Sequence, residues 1–400
     1  MRVRLLLVVV LSALLAGAVL GWREWRRVRR QRLFDDAWTA IEKRDWQRVE
    51  IGVESLRRLG GSEPQWRVLH SAHSMSKGDY STARKDLSMV KSEGPLSPYV
   101  LLLNGQLLLG EGRELDAERV FSVAARDWPD LAGPHRALAA IYRSRGAMVA
   151  ASDQLQQVIR LVPNDYLAFR QLALLCHRDL ADNRGAIENY RLSLERNPPD
   201  AERPEIVKEF AEALIMRGDY REALEALESV EIDAVTLTLK ADCCRGLDRR
   251  RDGWDLVLQA RKLDPQERRA MILEGRMHME DGAPEKAIEP LEQALAFDPH
   301  DFSCRYRLVR ALQQSGQTKR AEEELAKKQE SERLRFELTR LYTRAVENPD
   351  NAILRYEIAD LCDRLGQRDL AVWWRNAAET TRRANALSPG RVPGDTRITR

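Results

Sequence analysis

"MRGDYREALEAL" runs from Met216 to Leu227, and "SKGDYSTARKDL" runs from Ser76 to Leu87. In both, an alanine follows the Gly-Asp-Tyr glycine by five residues and a leucine follows it by nine. Arg217-Gly218-Asp219 also spells the tripeptide that integrins read on extracellular proteins. An adhesion signal needs no second copy 140 residues upstream, at Gly78; a structural repeat does.

Working outward, the spacing recurs. Gly105 is followed by Gly112, Ala117, Phe121, Ala124 and Pro129. Ala139, Gly146, Ala151, Leu155, Val158 and Pro163 fall at the same offsets. So do Gly275, Gly282, Ala287, Leu291, Ala294 and Pro299, and Ser71, Gly78, Ala83, Leu87, Val90 and Pro95. Pro95, Pro129 and Pro163 are 34 residues apart, as are Pro265 and Pro299. A period of that size holds two helices of about fourteen residues and two tight turns. The first small residue lets helix A approach helix B. The glycine makes the A–B turn, because it tolerates positive φ. The alanine and the two residues after it share one face of helix B, and the proline closes that helix.

At these residues the sequence resembles the tetratricopeptide repeat family over roughly 33–385. The resemblance implies an all-α, right-handed α-solenoid of stacked helix-turn-helix units, here about nine. Gly218-Asp219-Tyr220 is then an A–B turn, with Ala211, Ala223 and Leu227 in register. Some stretches depart from the pattern. The turn in "CHRDLADNRGA" before Ala186 is one residue longer than in the other units, and "EIDAV" cuts a helix B short after Val230. "GLDRRRDG" lacks the turn glycine and puts Gly253 where alanine belongs. Gly316 and Gly366 are 50 apart, so a long or broken helix is expected between them. "KRDWQRV" marks a weak first turn.

The chain has 400 residues, 44% hydrophobic and 32% charged, with few aromatics, which suits a folded helical body. The net charge of +3 hides a division: residues 1–32 carry +7, residues 381–400 carry +4, and the remainder about −8. Bulk charge therefore gives no nucleic-acid signal in the body. The five cysteines show no metal spacing, and Cys243-Cys244 is a poor disulfide, which leans towards a reducing compartment.

The organisation expected is a short basic amino end (1–4), a transmembrane anchor (5–22), a basic juxtamembrane segment (23–32), the solenoid (33–387, irregular at 230–260 and 330–350) and a disordered basic tail (388–400). Leu5 to Gly21 is uncharged and mostly apolar, the short end of a bilayer span, and Trp22 and Trp25 follow where an aromatic belt would sit. Ala16-Gly17-Ala18 would fit a signal cleavage site, but six arginines lie between Arg23 and Arg32, where a translocated mature end should be poor in positive charge. An uncleaved anchor is the reading taken.

No chemistry stands out. "HRDL" at His177–Leu180 resembles the start of a kinase catalytic loop, but the metal-binding position holds Arg184 and no phosphate loop exists. The six histidines do not cluster at ligand spacing. No catalytic, cofactor or metal site and no small-molecule substrate is inferred, and the chain is expected not to be an enzyme. The rival is an unrecognised site within the divergent residues 233–350. The family resemblance implies binding of a protein or peptide in a groove lined by helix A faces. The repeat phase projects Arg136, Arg143, Arg170, Arg276, Tyr306, Arg310 and Tyr356 onto it, a set suited to an acidic or carboxylate-bearing partner. The expected role is a scaffold or assembly factor at the bacterial inner membrane, single-pass, with the solenoid in the cytoplasm. The alternative keeps the anchor and places the solenoid in the periplasm as an envelope-assembly factor.

Overall fold

The computed structural model describes residues 2–42, 44–59, 64–91, 94–145, 147–348 and 351–387, leaving aside the side chains of 2–16, 18, 42, 346, 380 and 383–387. Among these residues there are twenty α-helices and no strand. They alternate as A and B. The first six are α1 (Arg2–Glu42), α2 (Trp46–Leu59), α3 (Pro64–Ser76), α4 (Tyr80–Ser88), α5 (Ser97–Gly110) and α6 (Glu114–Asp127). Next come α7 (Ala132–Ser144), α8 (Met148–Leu161), α9 (Tyr166–Arg178), α10 (Asn183–Glu195), α11 (Arg203–Arg217), α12 (Tyr220–Leu227), α13 (Ala234–Gly246) and α14 (Arg250–Leu263). The last are α15 (Arg268–Glu280), α16 (Pro284–Phe297), α17 (Phe302–Gln314), α18 (Thr318–Glu347), α19 (Ala352–Arg364) and α20 (Arg368–Leu387). That makes ten pairs rather than about nine. They fall into two compact units, 1–137 and 138–400, divided inside α7.

The A–B turns are where sequence and backbone meet most directly. Gly78, Gly112, Gly218, Gly282, Gly316 and Gly366 all have positive φ, from +71° to +93°. After each, the next residue donates its N–H to the carbonyl five positions back: Asp79 to Ser74 at 2.9 Å, Asp219 to Leu214 at 2.9 Å and Gln317 to Leu312 at 2.8 Å are examples. These bonds satisfy carbonyls that the end of helix A leaves open. Two turns of the same length without glycine keep the same geometry. Arg44 (φ 56°) precedes an Asp45 to Ala40 bond, and Asp248 (φ 59°) precedes an Arg249 to Cys244 bond. A side chain there costs about 1–2 kcal/mol. The longer turn uses Ala181 (φ 52°) and Asp182, whose N–H reaches Cys176 O at 2.9 Å. Gly146 lies outside the described residues.

Five residues past each turn, Ala83, Ala117, Ala151, Ala186, Ala223, Ala287 and Ala371 are 0% exposed. The small residue of helix A does what its position requires. A Cβ on Gly275 would stand 2.6 Å from Leu291 Cγ, and one on Gly105 would enter the ring of Phe121. The repeated Gly-Asp-Tyr has a further use. In α4 and α12 the tyrosine opens a short helix B and lies over a glycine that ends the next helix A. A Cβ on Gly110 would be 2.8 Å from Tyr80 Cζ, and one on Gly246 would be 2.5 Å from Tyr220 Cε1. Both B helices are short, nine and eight residues.

α12 ends at Leu227, with three residues between it and "EIDAV", and the long Gly316–Gly366 gap holds one unbroken helix of 30 residues, α18, ahead of α19. At the amino end α1 runs continuously from Arg2 to Glu42, so the basic stretch continues without a break into the first helix A, which is buried at Phe34, Ala37 and Trp38. The expected transmembrane helix is not found among the described residues, where no helix is long and apolar enough to cross a membrane. The described side chains of α1 begin at Gly17, and charge interrupts them from Arg23 onward. The anchor expected at 5–22 falls mostly on residues 5–16, whose side chains lie outside the description, as do the amino end 1–4 and the tail 388–400.

Candidate functional site

In the second unit, A helices are tied to one another by acid–base pairs. Arg170 on α9 donates through Nε and Nη2 to the two carboxylate oxygens of Glu209 on α11, both at 2.9 Å, and lies 3.6 Å from Glu202. The Glu209 carboxylate, hydrogen-bonded to the fork, holds the Arg170 guanidinium above its ordinary pKa. Tyr166 donates to Glu202 at 3.0 Å. Arg269 on α15 pairs with Glu212 on α11. Arg245 on α13 reaches Glu280 on α15 at 3.3 Å, and Arg276 holds the same carboxylate at 3.1 Å while lying 3.8 Å from Asp242.

The ladder opens at α17. A cleft of about 280 Å³ lies between α15 and α17, lined by Arg276, Met279 and Glu280 from one helix and by Tyr306, Arg307, Arg310 and Gln314 from the other. The spacing explains the grouping: 276, 279 and 280 share one face of α15, and 306, 310 and 314 share one face of α17. Glu280 is the only acid in the lining and is shared by Arg245 and Arg276. Arg307 donates from Nη1 to Ser303 Oγ at 3.2 Å, and its Nε is buried with no partner. Arg310 is exposed and makes no ion pair among the described residues, and the Tyr306 ring is 48% exposed. The cleft therefore offers guanidinium donors beside an aromatic face and a thioether. That combination receives a carboxylate with apolar surface next to it.

Of the residues projected from the repeat phase, the cleft brings together Arg276, Tyr306 and Arg310. Arg170 is committed to Glu209, and Tyr356 donates to Glu379 at 2.9 Å. Arg143 is exposed at the end of α7, and Arg136 is half-buried in the first unit. Arg307, Met279 and Gln314 were not anticipated. Arg307 could have been, since it lies three residues before Arg310.

Nothing else resembles a reactive centre. All five cysteines are free and buried. Burial pushes the thiols up, Cys176 to about 11 and Cys243 and Cys304 to about 12, so they are held protonated. Among the described residues no group of three or more His, Cys, Asp or Glu could hold a metal ion. "HRDL" closes α9, with His177 Nδ1 buried and unpartnered. Arg217 and Asp219 of the Arg-Gly-Asp turn pair with each other.

Comparison with known proteins supports the repeat family. Residues 247–302 and 278–344 match two models, each described as tetratricopeptide repeat. Among solved structures, the chain is similar to a tetratricopeptide repeat protein from Parabacteroides merdae, at 17% identity over 63% of this chain and 100% of that one, with a TM-score of 0.45. It is similar at 17% identity to a chain of the Cut9–Hcn1 hetero-tetramer of APC/C, over 66% of this chain and 52% of that one, with a TM-score of 0.44. It is similar at 21% identity to MamA from Desulfovibrio magneticus, over 41% of this chain and 93% of that one, with a TM-score of 0.36. No curated protein matches the chain.

Proposed function

We propose that this repeat protein is a non-catalytic scaffold, held at the bacterial inner membrane by residues 5–22, that takes an acidic segment of a partner protein in the cleft between α15 and α17. The observation that carries the reading is the break in the ladder. Arg170, Arg245, Arg269 and Arg276 already own carboxylates, while Arg307 and Arg310 make no ion pair among the described residues. The buried Nε of Arg307 lacks a partner and the exposed Arg310 guanidinium stands beside it, so an incoming carboxylate would find two forks not already spent on acids. Tyr306 and Met279 add contact area that an extended peptide can use.

The test is Arg307→Glu with Arg310→Glu, compared with the parent by crosslinking capture from native membranes and by a photo-reactive side chain placed at Tyr306. The double variant should lose the Tyr306 crosslink while its circular dichroism is unchanged. Capture that is undiminished by a folded double variant removes the cleft from the site. Arg170→Glu would be a poor test, because it would set a new carboxylate against Glu209 and Glu202.

We infer from charge that the array lies in the cytoplasm. Arg23, Arg26, Arg27, Arg29, Arg30 and Arg32 follow the anchor, against Arg2, Arg4 and the amino terminus before it, and positive charge stays inside. The second reading, an array exported to the periplasm on the same anchor, is favoured by the basic "MRVR" start. Alkaline phosphatase and a fluorescent protein that matures only in the cytoplasm, each fused after Arg400, separate the two. A phosphatase-active, dark pair places the array outside.

A further inference from the structure

The exposed part of α1 between the anchor and the first helix A holds six arginines, from Arg23 to Arg32, and a single acid, Glu24, which Arg27 takes at 3.2 Å. Two indoles project with them. Trp22 and Trp25 are 54% and 51% exposed, and the Arg26 and Arg29 guanidiniums lie 4.6 Å and 5.0 Å from their ring centres. Arg26 and Arg30 lean towards the fold, half-buried, and Arg26 donates to the Leu59 carbonyl. Arg23, Arg27, Arg29 and Arg32 are exposed. At about 100° per residue, Arg23 and Arg32 stand on opposite sides of the helix, and Arg27 and Arg29 are roughly 160° apart.

The distribution decides the ligand. A helix lying flat on a membrane has basic residues on one side and apolar residues on the other. Here exposed charge stands on opposite sides of the helix, and Val19, Leu20, Trp22, Trp25 and Val28 are exposed with it. A helix that passes upright through a layer of anions meets them on opposite sides at once. Nine steps at 1.5 Å make a charged length of about 14 Å, enough to cross a headgroup layer of roughly 5–8 Å and end within about one Debye length beyond it.

We propose that Arg23, Arg27, Arg29 and Arg32 form a collar that binds the phosphates of anionic lipids around α1, with Trp22 and Trp25 set at the level of the acyl–headgroup boundary. The proposal rests on the anchor reading and adds to it a lipid class and the residues that select it. Because α1 continues unbroken into Phe34 and Trp38, the collar also fixes the height of the first repeat above the bilayer.

The test uses the full chain reconstituted into vesicles of phosphatidylcholine, alone or with phosphatidylglycerol as the minority lipid. Spin-labelled lipids of both classes report which is enriched at the protein. The parent should prefer phosphatidylglycerol on the order of five-fold. The preference should fall towards one in molar salt and in the variant Arg23→Gln, Arg27→Gln, Arg29→Gln, Arg32→Gln, while inorganic phosphate at millimolar level leaves it unchanged. A parent with no preference, or a helical, inserted variant that keeps it, overturns the collar and leaves the anchor standing. A parent that alkaline carbonate strips from both kinds of vesicle overturns the anchor and the collar with it.

Discussion

Two glycines in neighbouring repeats should respond to the same substitution with opposite signs. Gly275 on α15 faces Leu291 on α16, and an added Cβ would lie 2.6, 2.8 and 3.2 Å from its Cγ, Cδ2 and Cδ1. Carbon atoms prefer about 3.5–4.0 Å, so the nearest contact is roughly an ångström too short. Leu291 is 0% exposed and enclosed with Met271, Ile288 and Leu308, so it has nowhere to go. Overpacking of this kind costs about 1–3 kcal/mol, against which helix propensity returns about 1 kcal/mol. Gly275→Ala should therefore destabilise its repeat by up to about 2 kcal/mol. Gly253 on α14 is different: its Cβ would meet Ala241 O and Met277 Cε at 3.4 Å, which is ordinary contact. Gly253→Ala should stabilise by about 0.5–1 kcal/mol. The assay is amide hydrogen exchange on peptides from α13 to α16 in the full chain, which reads local stability without assuming that an array unfolds in one step. If Gly275→Ala protects those peptides as well as Gly253→Ala does, the close approach of α15 and α16 is not what the glycine is for.

Ala151 is 0% exposed at the position five residues past an A–B turn, so Ala151→Trp should lower the denaturation midpoint by an amount equal to about 1–3 kcal/mol or more, and an unchanged midpoint would mean the repeat phase is misassigned. His73 is buried with both ring nitrogens unpartnered, and His177 has a buried, unpartnered Nδ1; burial lowers the pKa of each. The unfolded chain then binds the extra protons, so their contribution is intact above about pH 6.5 and lost as pH falls below it. Thermal midpoints should drop between about pH 7.5 and about pH 5.5, and His73→Gln with His177→Gln should flatten that drop; an equally steep fall in the double variant would assign it to other groups.

The turns and the buried face of helix B were legible in the sequence because they depend on residue type alone. Positive φ calls for glycine, and a helix–helix contact with no spare volume calls for alanine, so both leave marks at fixed offsets. Arg44 and Asp248 show where that legibility ends: the backbone takes the same turn, and neighbouring repeats hold it there although the residue is a poor fit. Tyr80 over Gly110 and Tyr220 over Gly246 were hidden for another reason, since the partners are 30 and 26 residues apart and neither interval is the repeat period. The groove arginines were harder still. Phase places Arg170 and Arg310 on equivalent faces, but whether a guanidinium is spent or available depends on a carboxylate such as Glu209, which comes from another helix. The continuity of α1, by contrast, was open to reading, because arginine is a good helix former and nothing in "WREWRRVRRQR" signals a stop.

α18 carries a consequence for how such a chain can change over generations. Its first turns join the apolar cluster around Ala321, Leu308 and Leu291, and its last turns join the one around Leu334, Leu338, Leu341, Ile358 and Cys362. Between them, "EEELAKKQESER" at 322–333 buries little besides Ser331 and is tied to its surroundings by polar contacts, His300 to Ser331 at 2.8 Å and Arg364 to Glu330 at 3.3 Å. The final helix pair thus owns a separate hydrophobic centre and is spliced to the others by backbone rather than by shared side-chain volume. A recombination event that cuts within this seam would exchange one terminal pair for another and leave both interiors whole, so the carboxyl end is where this lineage could trade modules without first rewriting its repeats.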